Sequence, residues 1–215
     1  ELGNYERALE LLERALDLHQ GIIKTENEQL AAIKSNLAKT YFSLHDLNKA
    51  KSFFEASISL WAKLVGLNHP HTAIDQTSLG LVFLELGEPF KAKKLLEIAL
   101  ESYLKNLGPN HPYIAKGHAN LGGVYLRLGL YSEAREELEL AMSLNEKLFG
   151  PSHLNVAENK YNLSYVYKGL GKKDKAILLA KEAYSVLKSQ LPIGHEKVLA
   201  AHKIIEILEA ELGQN

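Results

Sequence analysis

NLGGVYLRLGLYSEA, residues 120–134, holds the end of one helix, a turn and the start of another. Leu121, Val124, Tyr125 and Leu128 recur at three- and four-residue steps, as do Ile114 and Ala115 upstream, which marks a helix with one apolar face. Gly129 follows where a left-handed residue ends a helix without steric cost. Ala134, Leu138, Ala141, Leu144 and Leu148 then resume the helical spacing, and Gly150–Pro151 closes it. Upstream, GPNHP at 108–112 opens the first helix, because proline is tolerated in a first turn where its missing N–H has no partner anyway. One stretch of about forty residues is therefore a pair of amphipathic helices.

The pair repeats. His69, His111, His153 and His195 are each 42 residues apart. Ala8, Ala50, Ala92, Ala134 and Ala176 share one register, and Leu37, Leu79, Leu121, Leu163 and Ile205 another. Tyr41, Phe83, Tyr125 and Tyr167 form a third, and Leu44, Leu86, Leu128, Leu170 and Leu212 a fourth. Alanine at 134 and its equivalents is small enough to let two helices cross closely. Each pair buries its apolar face only against its neighbours, so the expected fold is all-α, an α-solenoid (superhelix) of stacked antiparallel helix pairs.

Leu121-Gly122-x-x-Tyr125 followed by Ala134-x-x-x-Leu138 resembles the tetratricopeptide repeat. The 42-residue period, with GPNHP and NLGGVYLRLGLYSEA, is similar to the longer, kinesin-light-chain-like type. One departure is the usual Trp of the repeat, replaced by Lys34, Gln76, His118 and Lys160, a residue the longer type generally lacks too. The expected organisation is one domain over 1–215. Residues 1–26 are the second helix of a truncated repeat; 27–68, 69–110, 111–152 and 153–194 are full repeats; 195–215 is a capping helix. In that helix Ile204, Ile205 and Leu208 pack inward while Glu206, Glu209 and Glu211 keep the outer face wet. The chain begins at Glu1 and reads as a fragment of a longer protein.

Composition narrows the function. Apolar residues make up 46%, charged residues 24%, and the net charge is −1, with no run of five or six like charges. Nucleic-acid binding needs clustered Lys and Arg against phosphates, so no nucleic-acid partner is expected. The most apolar stretch, Leu79–Leu86, already contains Glu85 and is far short of the roughly 20 residues a membrane span requires. No membrane insertion is expected. With no signal peptide visible, the expected location is cytoplasmic. No cysteine is present, which excludes disulfides, thiolate metal sites and a cysteine nucleophile.

Nor does catalytic chemistry assemble. The nine histidines include His69-Pro-His71, but zinc ligands must converge on one point at about 2.0–2.1 Å. Histidines one repeat apart sit at least a helix-packing distance of roughly 8–10 Å from each other. They are expected to shape the starts of first helices, with no metal and no cofactor. No nucleophile elbow exists. GLGKKDKA at 169–176 lacks phosphate-loop spacing and falls at a turn, and the Asn162-Leu-Ser sequon lies inside a helix. The chain is not expected to be an enzyme.

The informative polar row precedes the leucine register: Asn36, Ser78, Asn120 and Asn162. In tetratricopeptide proteins this position faces the concave groove, so the resemblance implies that these side chains pair with the backbone of an extended bound peptide. An amide offers both donor and acceptor, as a peptide bond requires; the alternative is bonding within the repeat or to water. Helical geometry adds rows one turn away: Lys39, Leu81, Gly123 and Tyr165; Ser35, Thr77, Ala119 and Tyr161; Lys116 and Glu158; Glu85 and Arg127; and Lys168. Ser35 and Lys39 stand where the chaperone-binding carboxylate clamp has its opening Lys–Asn pair, so chaperone C-termini are not expected ligands. The expected function is a protein–protein interaction scaffold binding a partner peptide in its groove. The alternative is an oligomerisation or intramolecular regulatory module, self-associating through the exposed N-terminal half-repeat.

Overall fold

A computed structural model describes residues 2–212, so Glu1, the last three residues of the expected capping helix and the Leu212 side chain lie outside the description. The described residues form ten α-helices and no strand. Two compact units divide the chain, residues 1–108 and 109–215.

The first unit contains α1 (Leu2–Leu18), α2 (Glu28–Ser43), α3 (Leu47–Leu64), α4 (Pro70–Glu85) and α5 (Pro89–Leu107), with a π-helical turn at His19–Ile23 after α1. The second contains α6 (Pro112–Arg127), α7 (Tyr131–Phe149), α8 (Leu154–Gly169), α9 (Lys173–Gln190) and α10 (Glu196–Leu212). Within each unit consecutive helices pack on one another, the arrangement of an α-solenoid.

The registers explain the packing. Ala50 and Ala92 in the first unit, and Ala134 and Ala176 in the second, are fully buried where second helices meet first helices. Leu37, Leu79, Leu121, Leu163 and Ile205 are buried as well. Ala8, the same register on α1, is only half-buried. In the second unit Ile204, Ile205 and Leu208 of α10 join Leu163, Val166, Tyr167 and Leu179 in one cluster. Glu206 and Glu209 are exposed as expected, and Glu209 pairs with Lys181 at 2.6 Å.

The periodic histidines cap helices. Nδ1 of His69, His111, His153 and His195 accepts the N–H two residues on, from His71, Tyr113, Asn155 and Lys197, at 3.1–3.3 Å. Asn27 holds the same register, and its Oδ1 accepts the N–H of Leu30 at 2.9 Å. Such acceptors satisfy donors that a helix start leaves without partners. The loops before these caps are held in turn by the following second helix. Asn106 Nδ2 donates to Asn68 O at 2.8 Å in the first unit, and Gln190 Nε2 to Ser152 O at 2.6 Å in the second.

First helices end in one motif. The N–H of Asp46, Glu88, Leu130 and Lys172 reaches back to the carbonyl of the aromatic register residue, Tyr41, Phe83, Tyr125 or Tyr167, at 2.8–2.9 Å. The residue before each donor is left-handed: Gly87, Gly129 and Gly171, but His45 with φ 60° in α2's turn. A side chain there pays the left-handed penalty that glycine avoids.

Candidate functional site

In the first unit Asn36 and Lys39 are exposed on α2, one turn apart, and the Asn36 amide makes no hydrogen bond among the described residues. They line a cavity of about 190 Å³ with Ala32, Ser35, Trp61, His71, Ile74 and Asp75. His71 stacks on Trp61 with ring centroids 4.7 Å apart. Beneath them Asp75 is buried, with Ser35 Oγ 2.6 Å from its Oδ1 and Ser57 Oγ 2.6 Å from its Oδ2. Burial pushes its carboxyl above the ordinary carboxylate range, against the nearby charges of Lys39 and His71.

On α4 the row changes character. Thr77 is buried, donating to Ala73 O at 2.9 Å and lying 3.0 Å from Tyr103 Oη, so it is spent on packing. Ser78 donates to Ile74 O within its own helix. Leu81 is half-buried, and Glu85 is exposed without an ion pair among the described residues.

In the second unit Lys116 and Arg127 are exposed on α6 and form no ion pair among the described residues. Asn120 between them is half-buried, and its Nδ2 is buried with no hydrogen-bond partner among the described residues. A Cβ at Gly123 would meet nothing within 4 Å, so the backbone there borders open space. On α8, Glu158, Tyr161 and Asn162 line a cavity of about 350 Å³ with Leu187, Glu196, Lys197 and Ala200. Tyr161 lies edge-on to Tyr165, hydroxyls 3.1 Å apart, and burial pushes its phenol well up. Glu158 is paired with Lys197. Lys168 is paired with Glu211 at 2.7 Å, which holds that carboxyl below its usual range. Glu158 and Lys168 are therefore answered from α10, while Lys116, Arg127 and the cavity's Glu196 form no ion pair among the described residues.

Sequence reasoning missed the lining from outside the first-helix rows: Trp61, His71, Leu187, Lys197 and Asp75. The signal for Asp75 was present as an acid in a variable register and a serine in an alanine register. Position 75 reads Ile33, Asp75, Gly117, Asn159 along the repeats, and position 57 reads Ser57, Ala99, Ala141, Ala183. Two polar residues facing each other at one junction indicate a buried polar contact.

Among the described residues no cluster of His, Asp or Glu could hold a metal ion, and no helix is long and apolar enough to cross a membrane.

A family model, the tetratricopeptide repeat, matches residues 1–63, 29–105, 76–146 and 113–189. The chain belongs to the tetratricopeptide repeat family, a non-enzymatic type of protein–protein interaction scaffold. No curated protein matches the sequence. Its fold is similar to the nearly identical, kinesin-light-chain-like TPR repeats of Podosopora anserina (24% identity, 88% of this chain and 90% of that one, TM-score 0.71). It is also similar to BtubC (BKLC) from P. vanneervenii (19%, 99% and 83%, TM-score 0.74) and to a chain of the APC/C hetero-tetramer Cut9–Hcn1 (19%, 96% and 33%, TM-score 0.70).

Proposed function

We propose that the first-helix faces form a concave groove that binds an extended peptide of a partner protein in the cytoplasm, and that this binding is the chain's task rather than catalysis. We take the repeats to begin at 27, 69, 111, 153 and 195 within one domain. The observation that carries the reading is that each unit has a cavity lined by a residue of the repeated amide row. Asn36 lines one and Asn162 the other, and neither amide is engaged within the protein among the described residues. Asn120, with a buried unpaired donor, adds to it, since buried polar groups are normally satisfied.

The test is titration of an identified partner against Asn120→Ala/Asn162→Ala and a Lys116/Arg127 charge reversal, with thermal melts as the folding control. A peptide group left buried and unpaired costs about 1–3 kcal/mol, so the amide variant should lose roughly tenfold to a hundredfold in affinity. Charge reversal should remove any salt-sensitive attraction of an acidic ligand. Unchanged affinity in both variants would place the partner elsewhere.

A second reading, self-association through α1, is favoured by one feature of the first unit. Leu18, Ile22 and Ile23 are exposed around an apolar cavity of about 540 Å³, and Ala8, Leu12 and Ala15 are only half-buried. A sedimentation mass that rises with concentration, and falls back with Leu18→Glu/Ile22→Glu, would support it.

A further inference from the structure

Three close oxygen–oxygen approaches meet at the junction of α2, α3 and α4. Ser35 Oγ lies 2.6 Å from Asp75 Oδ1, Ser57 Oγ 2.6 Å from Asp75 Oδ2, and Ser57 Oγ again 2.9 Å from Ala31 O. Each hydroxyl carries one hydrogen. Two serines can therefore fill two of the three approaches, and an ionised carboxylate brings none. A carboxylic acid supplies the third: Ser35 donates to Oδ1, the acid O–H on Oδ2 donates to Ser57, and Ser57 donates to Ala31 O. Only that assignment gives every approach a hydrogen.

We infer that Asp75 is a proton-carrying latch: in the native first unit it is the neutral acid, accepting from α2 and donating to α3 through one chain of hydrogen bonds. Burial agrees, since Asp75 is 1% exposed and an ionised carboxylate there would sit apart from water. The charged groups facing it are Lys39 on α2 and His71 on its own helix; both favour the ionised form, and neither forms an ion pair or hydrogen bond with it among the described residues. From α3 it is met by the uncharged Ser57. At the same register of the second unit stands Asn159, whose amide has the shape of a neutral Asp and, like it, sets a donor beside an acceptor. The proton also sets the charge of the cavity it floors. With Asp75 neutral, the Lys39 ammonium has no counter-charge in that cavity; with Asp75 ionised, it does.

The consequence is linkage. In the unfolded chain Asp75 ionises near pH 3.9. The native acid keeps its proton to a higher pH, so unfolding releases one. Stability therefore falls as pH rises from the unfolded value to the native one, and is level outside that window.

The chain contains four aspartates, Asp17, Asp46, Asp75 and Asp174, so protein labelled with ¹³C at aspartate Cγ gives four resonances, and Asp→Asn changes at the three others leave that of Asp75 by elimination. At about pH 5, roughly one unit above the ordinary value, the Asp75 resonance should be that of the protonated acid. In denaturant melts from about pH 4 upward, the folding constant of wild type relative to Asp75→Asn should drop about tenfold per pH unit until the native acid ionises. An Asp75 carboxyl already ionised at about pH 5, or stability profiles of wild type and Asp75→Asn that run parallel, would overturn the inference. If Asp75→Asn does not fold, the wild-type resonance decides alone.

Discussion

Gly122 and Gly123 are neighbours on α6, yet alanine should act on them in opposite directions. In a helix interior Ala is better than Gly by about 0.8–1.0 kcal/mol, and this gain applies to both. At Gly123 nothing opposes it, because a Cβ would meet no atom within 4 Å. At Gly122 the Cβ would lie 2.5 Å from Leu138 Cγ and 2.9 Å from its Cδ2, where carbon atoms rest at about 3.5–4.0 Å. Leu138 is fully buried and must move by about 1 Å within a packed cluster. Overpacking of this kind costs about 1–3 kcal/mol. Gly123→Ala should therefore stabilise by roughly 0.5–1 kcal/mol, and Gly122→Ala should destabilise by up to about 2 kcal/mol. For a chain of this size each kcal/mol moves Tm by roughly 2–4 °C, so thermal melts should separate the two variants by several degrees. At Gly80, in the same register as Gly122, a Cβ would lie 3.0 Å from Leu96 Cγ, so Gly80→Ala should fall between them. A further control is Leu138→Ala, which should remove the penalty of Gly122→Ala by vacating the space it needs. If Gly122→Ala is as stable as Gly123→Ala, the α6–α7 crossing is not as close as described and the reasoning fails.

Other substitutions test the caps and crossings. His45→Gly should stabilise the first unit by about 1 kcal/mol, since it relieves a left-handed side chain; an unchanged denaturation midpoint would count against the strain. His153→Ala should cost about 1 kcal/mol through loss of the α8 cap, while His153→Asp, which keeps an acceptor there, should retain most of it. Equal melts for those two variants would show that the Nδ1 acceptor contributes nothing. Ala134→Leu should lower Tm by the overpacking cost of about 1–3 kcal/mol, felt mainly between adjoining helices.

The fold was legible because a repeat states its packing several times over. A single Ala134 is compatible with many structures; five alanines 42 residues apart, each before a leucine, an alanine or an aromatic at helical spacing, are compatible with one crossing made repeatedly. The histidines illustrate the same point. Their period showed that they belong to helix starts, and the structure supplies the reason: Nδ1 is a cap acceptor, interchangeable with Asn27 Oδ1. The candidate site was legible only on first helices, where residues one turn apart share a face whatever surrounds them. Which of those residues stay available depends on partners that helical geometry does not place. Thr77 is withdrawn by Tyr103, Lys168 by Glu211 and Glu158 by Lys197, each from another helix.

Departures from the repeat carry information of a different kind. Where a column is constant, it reports the packing that all units share; where it breaks, it reports what one junction does alone. Glu209 breaks the aromatic column and its carboxylate is met by Lys181, so the face that carries Tyr167 on α8 carries an ion pair on α10. His45 breaks the glycine column and leaves a left-handed side chain in a turn that glycine closes at positions 87, 129 and 171. Ser57 breaks an alanine column and meets Asp75, whose position holds a different residue in each repeat. An acid placed among buried alanine and leucine columns would be destabilising in isolation, because desolvation opposes its charge. It is accommodated because the break at Ser57 puts a hydroxyl opposite it, and because, as the neutral acid, it has a hydrogen to give. The same pairing rule predicts that Ser57→Ala, restoring the alanine of the other repeats, should be harmful in the presence of Asp75 and nearly neutral once Asp75 is replaced by a small apolar residue. A double-mutant cycle with Asp75→Ala measures that coupling directly, and additive effects would show that the two residues are independent.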